Sequence, residues 1–114
     1  MRPALPRHPR WAATFLTLLL PLLAAAGRAA DGPALFADNC ASCHGPDGRA
    51  RTPAGKKVRA KDLTLSKLTD AEIERQIREG KKDSRGLATM PAFKDQLSDD
   101  DIKALIPVVK TFRK

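Results

Sequence analysis

The chain has 114 residues, is 42% apolar and carries a formal net charge of +8, which allows one small domain at most. Two Cys and two His in the whole chain exclude a disulfide-rich framework and any site built from several histidines. The apolar residues are unevenly placed, 18 in the first 30 positions and 30 in the remaining 84. A back portion that poor in hydrophobic material ordinarily needs a staple, a metal or a cofactor to hold a fold.

Residues 1–29 read as a secretory signal peptide. Arg2, Arg7 and Arg10 form a positive n-region with no acid before Asp31, and Trp11 to Leu23 is the apolar h-region, interrupted by Pro21. Small residues at Ala24 to Ala26, and again at Gly27 and Ala29, place the cleavage after Ala26 or Ala29. The apolar run is short of the ~20 residues that span a bilayer, so no stable membrane span is expected. Residues 30–114 then form the domain. Counted from Asp31, 17 basic and 13 acidic residues leave a net charge of +4, which weakens any nucleic-acid reading of the whole-chain charge.

Three main helices are predicted in the mature chain. The first covers about Pro33 to Ala41, with Pro33 suited to the first turn. Residues 45–62, rich in Gly, Pro, Lys and Arg, read as an irregular loop. The second helix covers Asp70 to Glu79: Thr69 and Glu72 form a capping box, Ile73 and Ile77 share a face, and Gly80 is the stop. The third runs from Asp99 to Phe112, capped by Ser98, with Ile102, Leu105, Ile106 and Val109 at helical spacing. Pro107 within it predicts a kink, or an end and a restart. No long alternating strand is legible.

The chemistry concentrates in Cys40-Ala41-Ser42-Cys43-His44. Two residues between the thiols let both reach the vinyl groups of one haem, and the adjacent His is placed to bind the iron, the pattern of c-type haem attachment. A redox dithiol would need a βαβ context, which is absent; a Cys40–Cys43 disulfide would close too short a loop to stabilise much. A zinc site wants four ligands, and only three Cys or His remain after cleavage. The second axial ligand follows by elimination: the mature chain has no other His, and Met90 is its one Met. Pro91 biases Met90 to an extended backbone, and Met/His ligation suits electron transfer. The alternative is that Met90 fills a core gap, with the iron five-coordinate or taking a lysine. A haem enzyme would need an open sixth position and usually a polar distal group, and no second His is present to supply acid or base. An electron carrier, not an enzyme, is expected.

These residues resemble the class I cytochromes c, small single-haem electron carriers. Beyond C-A-S-C-H-G, Gly32 and Phe36 stand eight and four residues before Cys40, where the family's first helix carries its Gly and aromatic contacts. The M-P-A-F block at Met90 resembles the distal-ligand loop, and L-S-D-D-D-I-K-A-L the start of the last helix. The resemblance implies an all-α fold in which the first and last helices cross over one haem edge. It implies haem c on Cys40 and Cys43, with His44 and Met90 on the iron. The chain departs from it at Pro107-Val108, where many relatives have a small residue and an aromatic. It departs again at Lys61, where many have a proline. The carbonyl that holds Nδ1–H of His44 is therefore sought near Pro53. Leu63, Leu87 and Phe93 are the candidates for the apolar haem pocket, and a cavity is expected between Cys43, His44 and Met90.

Arg49, Arg51, Lys56, Lys57, Arg59 and Lys61 place six positive charges in 13 residues. They read either as a solvated loop or as a docking surface for an acidic redox protein, and one of them is a candidate partner for a haem propionate. With no phosphate-binding glycine loop and no interleaved aromatics, nucleic acid is not expected. The whole reading is a periplasmic, monomeric carrier of one covalently attached haem c.

Overall fold

A computed structural model describes residues 29–114. The expected leader lies outside the described residues, apart from Ala29. The elements are α1 (Gly32–Asn39), α2 (Ala41–His44), α3 (Pro53–Val58), a 3-10 turn (Leu63–Leu65), α4 (Asp70–Glu79), the two-residue strand β1 (Lys81–Lys82), β2 (Ala88–Met90) and α5 (Asp99–Thr111). The fold is therefore helical, with one small antiparallel hairpin between α4 and α5.

The two long helices start where their caps dictate. Thr69 and Glu72 close a capping box at α4, and Ser98 and Asp101 close another at α5. Each pair satisfies N–H groups that the first helical turn leaves without partners. The two helices run antiparallel, with an ion pair at each end: Arg78 Nη1 with Asp99 at 2.7 Å, and Lys110 with Asp70 at 2.8 Å. Between them Ile73, Ile77, Ile102, Leu105 and Val109 are buried with Phe36 and Phe93, a core of seven side chains. That is the small core the composition foretold.

The first expected helix is broken in two. Cys40 leaves helical geometry (φ −120°), so α1 ends at Asn39 and α2 restarts at Ala41. α1 packs against α5 at close range: a Cβ on Gly32 would overlap the Ala104 carbonyl oxygen and lie 2.8 Å from Val108 Cγ2. The aromatic contact that position 108 cannot make is supplied one turn later. Phe112 meets Phe36 with ring centroids 4.9 Å apart, tilted by 44°, within the range that favours aromatic pairs.

One expectation is corrected and another is narrowed. The segment 45–62 is not wholly irregular, because Thr52 caps a helix that Pro53 starts, giving α3. α5 also neither ends nor restarts at Pro107. Pro107 and Lys103 are both exposed, so the Lys103 carbonyl that loses its helical donor can be met by water.

Candidate functional site

One cavity of about 660 Å³ receives side chains from most of the chain, within the ~300–1,000 Å³ common for cofactor sites. Cys40, Cys43, His44 and Met90 line it, and Phe36, Leu63, Ile73, Ile77 and Phe93 supply apolar wall. The four rare residues singled out in the sequence are thus brought to one space.

His44 is held by its backbone and by its ring. Its N–H donates to the Cys40 carbonyl at 2.9 Å, and Nδ1 lies 2.9 Å from the Lys61 carbonyl oxygen. A carbonyl can only accept, so Nδ1 carries the hydrogen and Nε2 keeps its lone pair. Burial holds the His44 pKa below its ordinary value, opposed by the bond to Lys61; the neutral imidazole is the form that binds metals. The expected acceptor near Pro53 is corrected to Lys61. Every residue carries a backbone carbonyl, so a lysine can present the acceptor where many relatives have a proline.

Burial, and then the neighbouring Cys43, push the Cys40 thiol up to about 11. Redox dithiols depend on a lowered thiol pKa, so this environment is the reverse of the one that chemistry needs.

Met90 sits at the end of β2 and is half buried. Its approach is fixed by Gly80, whose positive φ of 67° only glycine adopts at ease, and where a Cβ would overlap the Met90 carbonyl oxygen. Downstream, Phe93 N–H donates to the Ile77 carbonyl at 3.0 Å, which pins the return of the loop onto α4. The hairpin turn is organised by Asp83, whose Oδ1 accepts from the N–H groups of Arg85 and Leu87 and whose Oδ2 pairs with Arg85 at 2.8 Å. Leu87 stands at this turn, 57% exposed, and does not line the cavity. The Asp-x-x-Gly turn carries it outward, so its expected pocket role is corrected; Leu63 and Phe93 line the cavity as expected.

Of the six clustered basic residues, Arg59 and Lys61 line the cavity, and Lys67, Lys81 and Lys82, which sequence reasoning passed over, join them. These five side chains are exposed and make the cavity rim basic.

Residues 27–107 match the family described as cytochrome C oxidase, cbb3-type, subunit III. The chain belongs to this family of small class I c-type cytochromes. It is 36% identical over 76 residues to a cytochrome c6 of Microcystis aeruginosa, covering 66% of this chain and 85% of the relative. To cytochrome c-553 of Helicobacter pylori it is 34% identical over 78 residues, covering 68% of this chain and 75% of the relative. Among solved structures, the KustC0563 c-type cytochrome superposes with a TM-score of 0.63 at 35% identity, covering 74% of this chain and 99% of that one. As a cytochrome c, the protein is a haem protein that transfers electrons, its cofactor is haem c, and its partners are redox proteins. The cavity fits such a group: it is apolar in its walls, is lined by two cysteines, a methionine and an imidazole with a free nitrogen, and carries basic residues suited to carboxylates. No helix among the described residues is long and apolar enough to cross a membrane.

Proposed function

We propose that residues 1–29 export the chain to the periplasm and that residues 30–114 act there as a monomeric, single-haem electron carrier. Cys40 and Cys43 would hold one haem c covalently, through two thioethers. His44, through Nε2, and Met90, through its sulfur, would hold the iron. The group supplies a one-electron ferrous/ferric couple when bound. This chain's residues do the rest: Lys61 fixes the imidazole, Met90 favours the reduced state, and Leu63, Phe93 and Ile77 restrict water. The observation that carries this reading is that Cys40, Cys43, His44 and Met90 line the same cavity. The basic rim of Arg59, Lys61, Lys67, Lys81 and Lys82 supports docking to an acidic face of the redox partner.

The test is the mass and absorption spectrum of the exported protein, co-expressed with a haem-attachment system. One haem added to the mass of the cleaved chain, with c-type bands in the reduced-minus-oxidised spectrum, is expected. An exported chain of unmodified mass would overturn the proposal.

A further inference from the structure

The four residues of α2 carry Cys43 and His44, yet so short a helix cannot satisfy its own carbonyls. Backbone N–H groups meet those of Ala41 and His44. The Cys40 carbonyl just before it accepts from His44 N–H at 2.9 Å, the Ala41 carbonyl from Gly45 N–H at 2.8 Å, and the His44 carbonyl from Ala50 N–H at 2.7 Å. The two that remain, on Ser42 and Cys43, fall to a single side chain. Thr52 Oγ1 lies 2.7 Å from the Ser42 oxygen and 3.2 Å from the Cys43 oxygen. Both are acceptors, so the hydroxyl donates, mainly to Ser42.

The same hydroxyl oxygen accepts from Gly55 N–H at 2.9 Å and so caps α3. α3 is pressed so closely on α2 that a Cβ on Gly55 would overlap the Cys43 carbonyl oxygen. From Gly55 the chain returns through Ala60, whose N–H donates to the Gly55 carbonyl at 2.8 Å. The next residue is Lys61, whose carbonyl accepts from His44 Nδ1 at 2.9 Å. One hydroxyl therefore joins the helix that carries His44 to the helix that delivers the acceptor for its ring.

We infer that Thr52 is a positioning residue for His44, setting through α2 and α3 the strength of the hydrogen bond from His44 Nδ1–H to Lys61 and thereby the reduction potential. The inference rests on the ligation proposed above. A firm bond at Nδ1 makes the imidazole a stronger donor through Nε2, which favours the ferric state. Valine has nearly the shape of threonine but can neither donate nor accept. It leaves the Ser42 and Cys43 carbonyls and the Gly55 N–H without this partner, and the His44 bond loosens.

The experiment compares wild-type, Thr52→Val and Thr52→Ser holoproteins by voltammetry and, in the ferrous state, by the NMR exchange rate of the His44 ring Nδ1–H. Thr52→Val is expected to raise the potential and to speed that exchange by up to about tenfold, the equivalent of one ordinary hydrogen bond. Thr52→Ser, which keeps the hydroxyl, is expected to restore both. A Thr52→Val protein with wild-type potential and exchange, whatever its melting temperature, would overturn the inference, as would a Thr52→Ser protein that departs as far as Thr52→Val. If Thr52→Val does not accumulate, the wild type decides: a slowly exchanging Thr52 hydroxyl proton supports the bridge, and one exchanging as fast as a hydroxyl in open water overturns it. The wild-type spectrum separates the two layers, because missing c-type bands sink the ligation itself, whereas normal bands with an unmoved potential sink only the role of Thr52.

Discussion

Gly32→Ala sets two effects of opposite sign against each other. Inside a helix, alanine is favoured over glycine by about 0.5–1 kcal/mol, and by no more than that at the first residue of α1, where Gly32 stands, so local propensity alone makes α1 slightly more stable. At this position, however, the new Cβ would overlap the backbone oxygen of Ala104 and lie 2.8 Å from Val108 Cγ2. A side chain could rotate away; a helical carbonyl held in α5 cannot, so α1 must move off α5. Overpacking of this kind costs roughly 1–3 kcal/mol, and a rigid obstacle places it in the upper half of that range. The net expectation is a loss of about 1–2 kcal/mol, or a fall in Tm of roughly 4–16 °C for a domain of this size. Thermal unfolding of the ferric holoprotein by circular dichroism measures it. Adding Val108→Ala removes the smaller contact and not the backbone one, so the double variant is not expected to recover. A Gly32→Ala protein as stable as wild type, or more so, would refute the close crossing of α1 and α5.

Met90→Ala is expected to leave haem attachment intact and to give a ferrous protein that binds carbon monoxide rapidly without denaturant; slow binding like that of the wild type would remove Met90 from the iron. Arg78 hydrogen-bonds Asp99 and so holds its carboxyl below the ordinary value near 3.8. A lowered carboxylate stabilises the fold above its unfolded pKa, and that contribution is lost as pH falls through the folded one. Arg78→Met is therefore expected to lower Tm at pH 7 and to converge on wild type well below pH 4, and a Tm gap unchanged across that range would count against the pairing. Lys81→Glu with Lys82→Glu is expected to slow electron transfer to an acidic protein at low ionic strength, with the difference shrinking as salt rises; stopped-flow kinetics against ionic strength would expose a rim that plays no part in docking.

α4 and α5 begin at the residues their caps announce because a capping box is a local device, written in four consecutive positions such as Thr69 to Glu72. α3 was hidden although its signal is equally local: Thr52 followed by Pro53 is a cap and a first turn, but the Gly and Lys that follow are poor or indifferent helix formers in isolation. The break at Cys40 had no local sign, since it follows from turning α2 toward the cavity. His44 and Met90 stood out because rare residues leave few alternatives. The acceptor at Lys61 could not, because a backbone carbonyl has no letter in the sequence. Phe112 replaces a contact expected at position 108 because the two differ by one helical turn and share a face of α5. Leu87 was misplaced because alternation cannot be read from strands of two and three residues, where the Asp83-centred turn decides which side chains point outward.

The two walls of the cavity come from separate stretches of chain. Everything that supports His44, from Cys40 through Thr52 to Lys61, lies within 22 consecutive residues, whereas Met90 depends on α4, on Gly80 and on the return to Ile77. Contacts between near neighbours close early and at low entropic cost. The contacts that orient His44 are of this local kind, whereas those that place Met90 reach across α4 and the hairpin. The two walls nevertheless share one core, in which Phe36 of α1 is buried with Ile73 and Ile77 of α4 and Ile102, Leu105 and Val109 of α5, so the Met90 side is tied to the His44 side through α1 and not through the cavity alone.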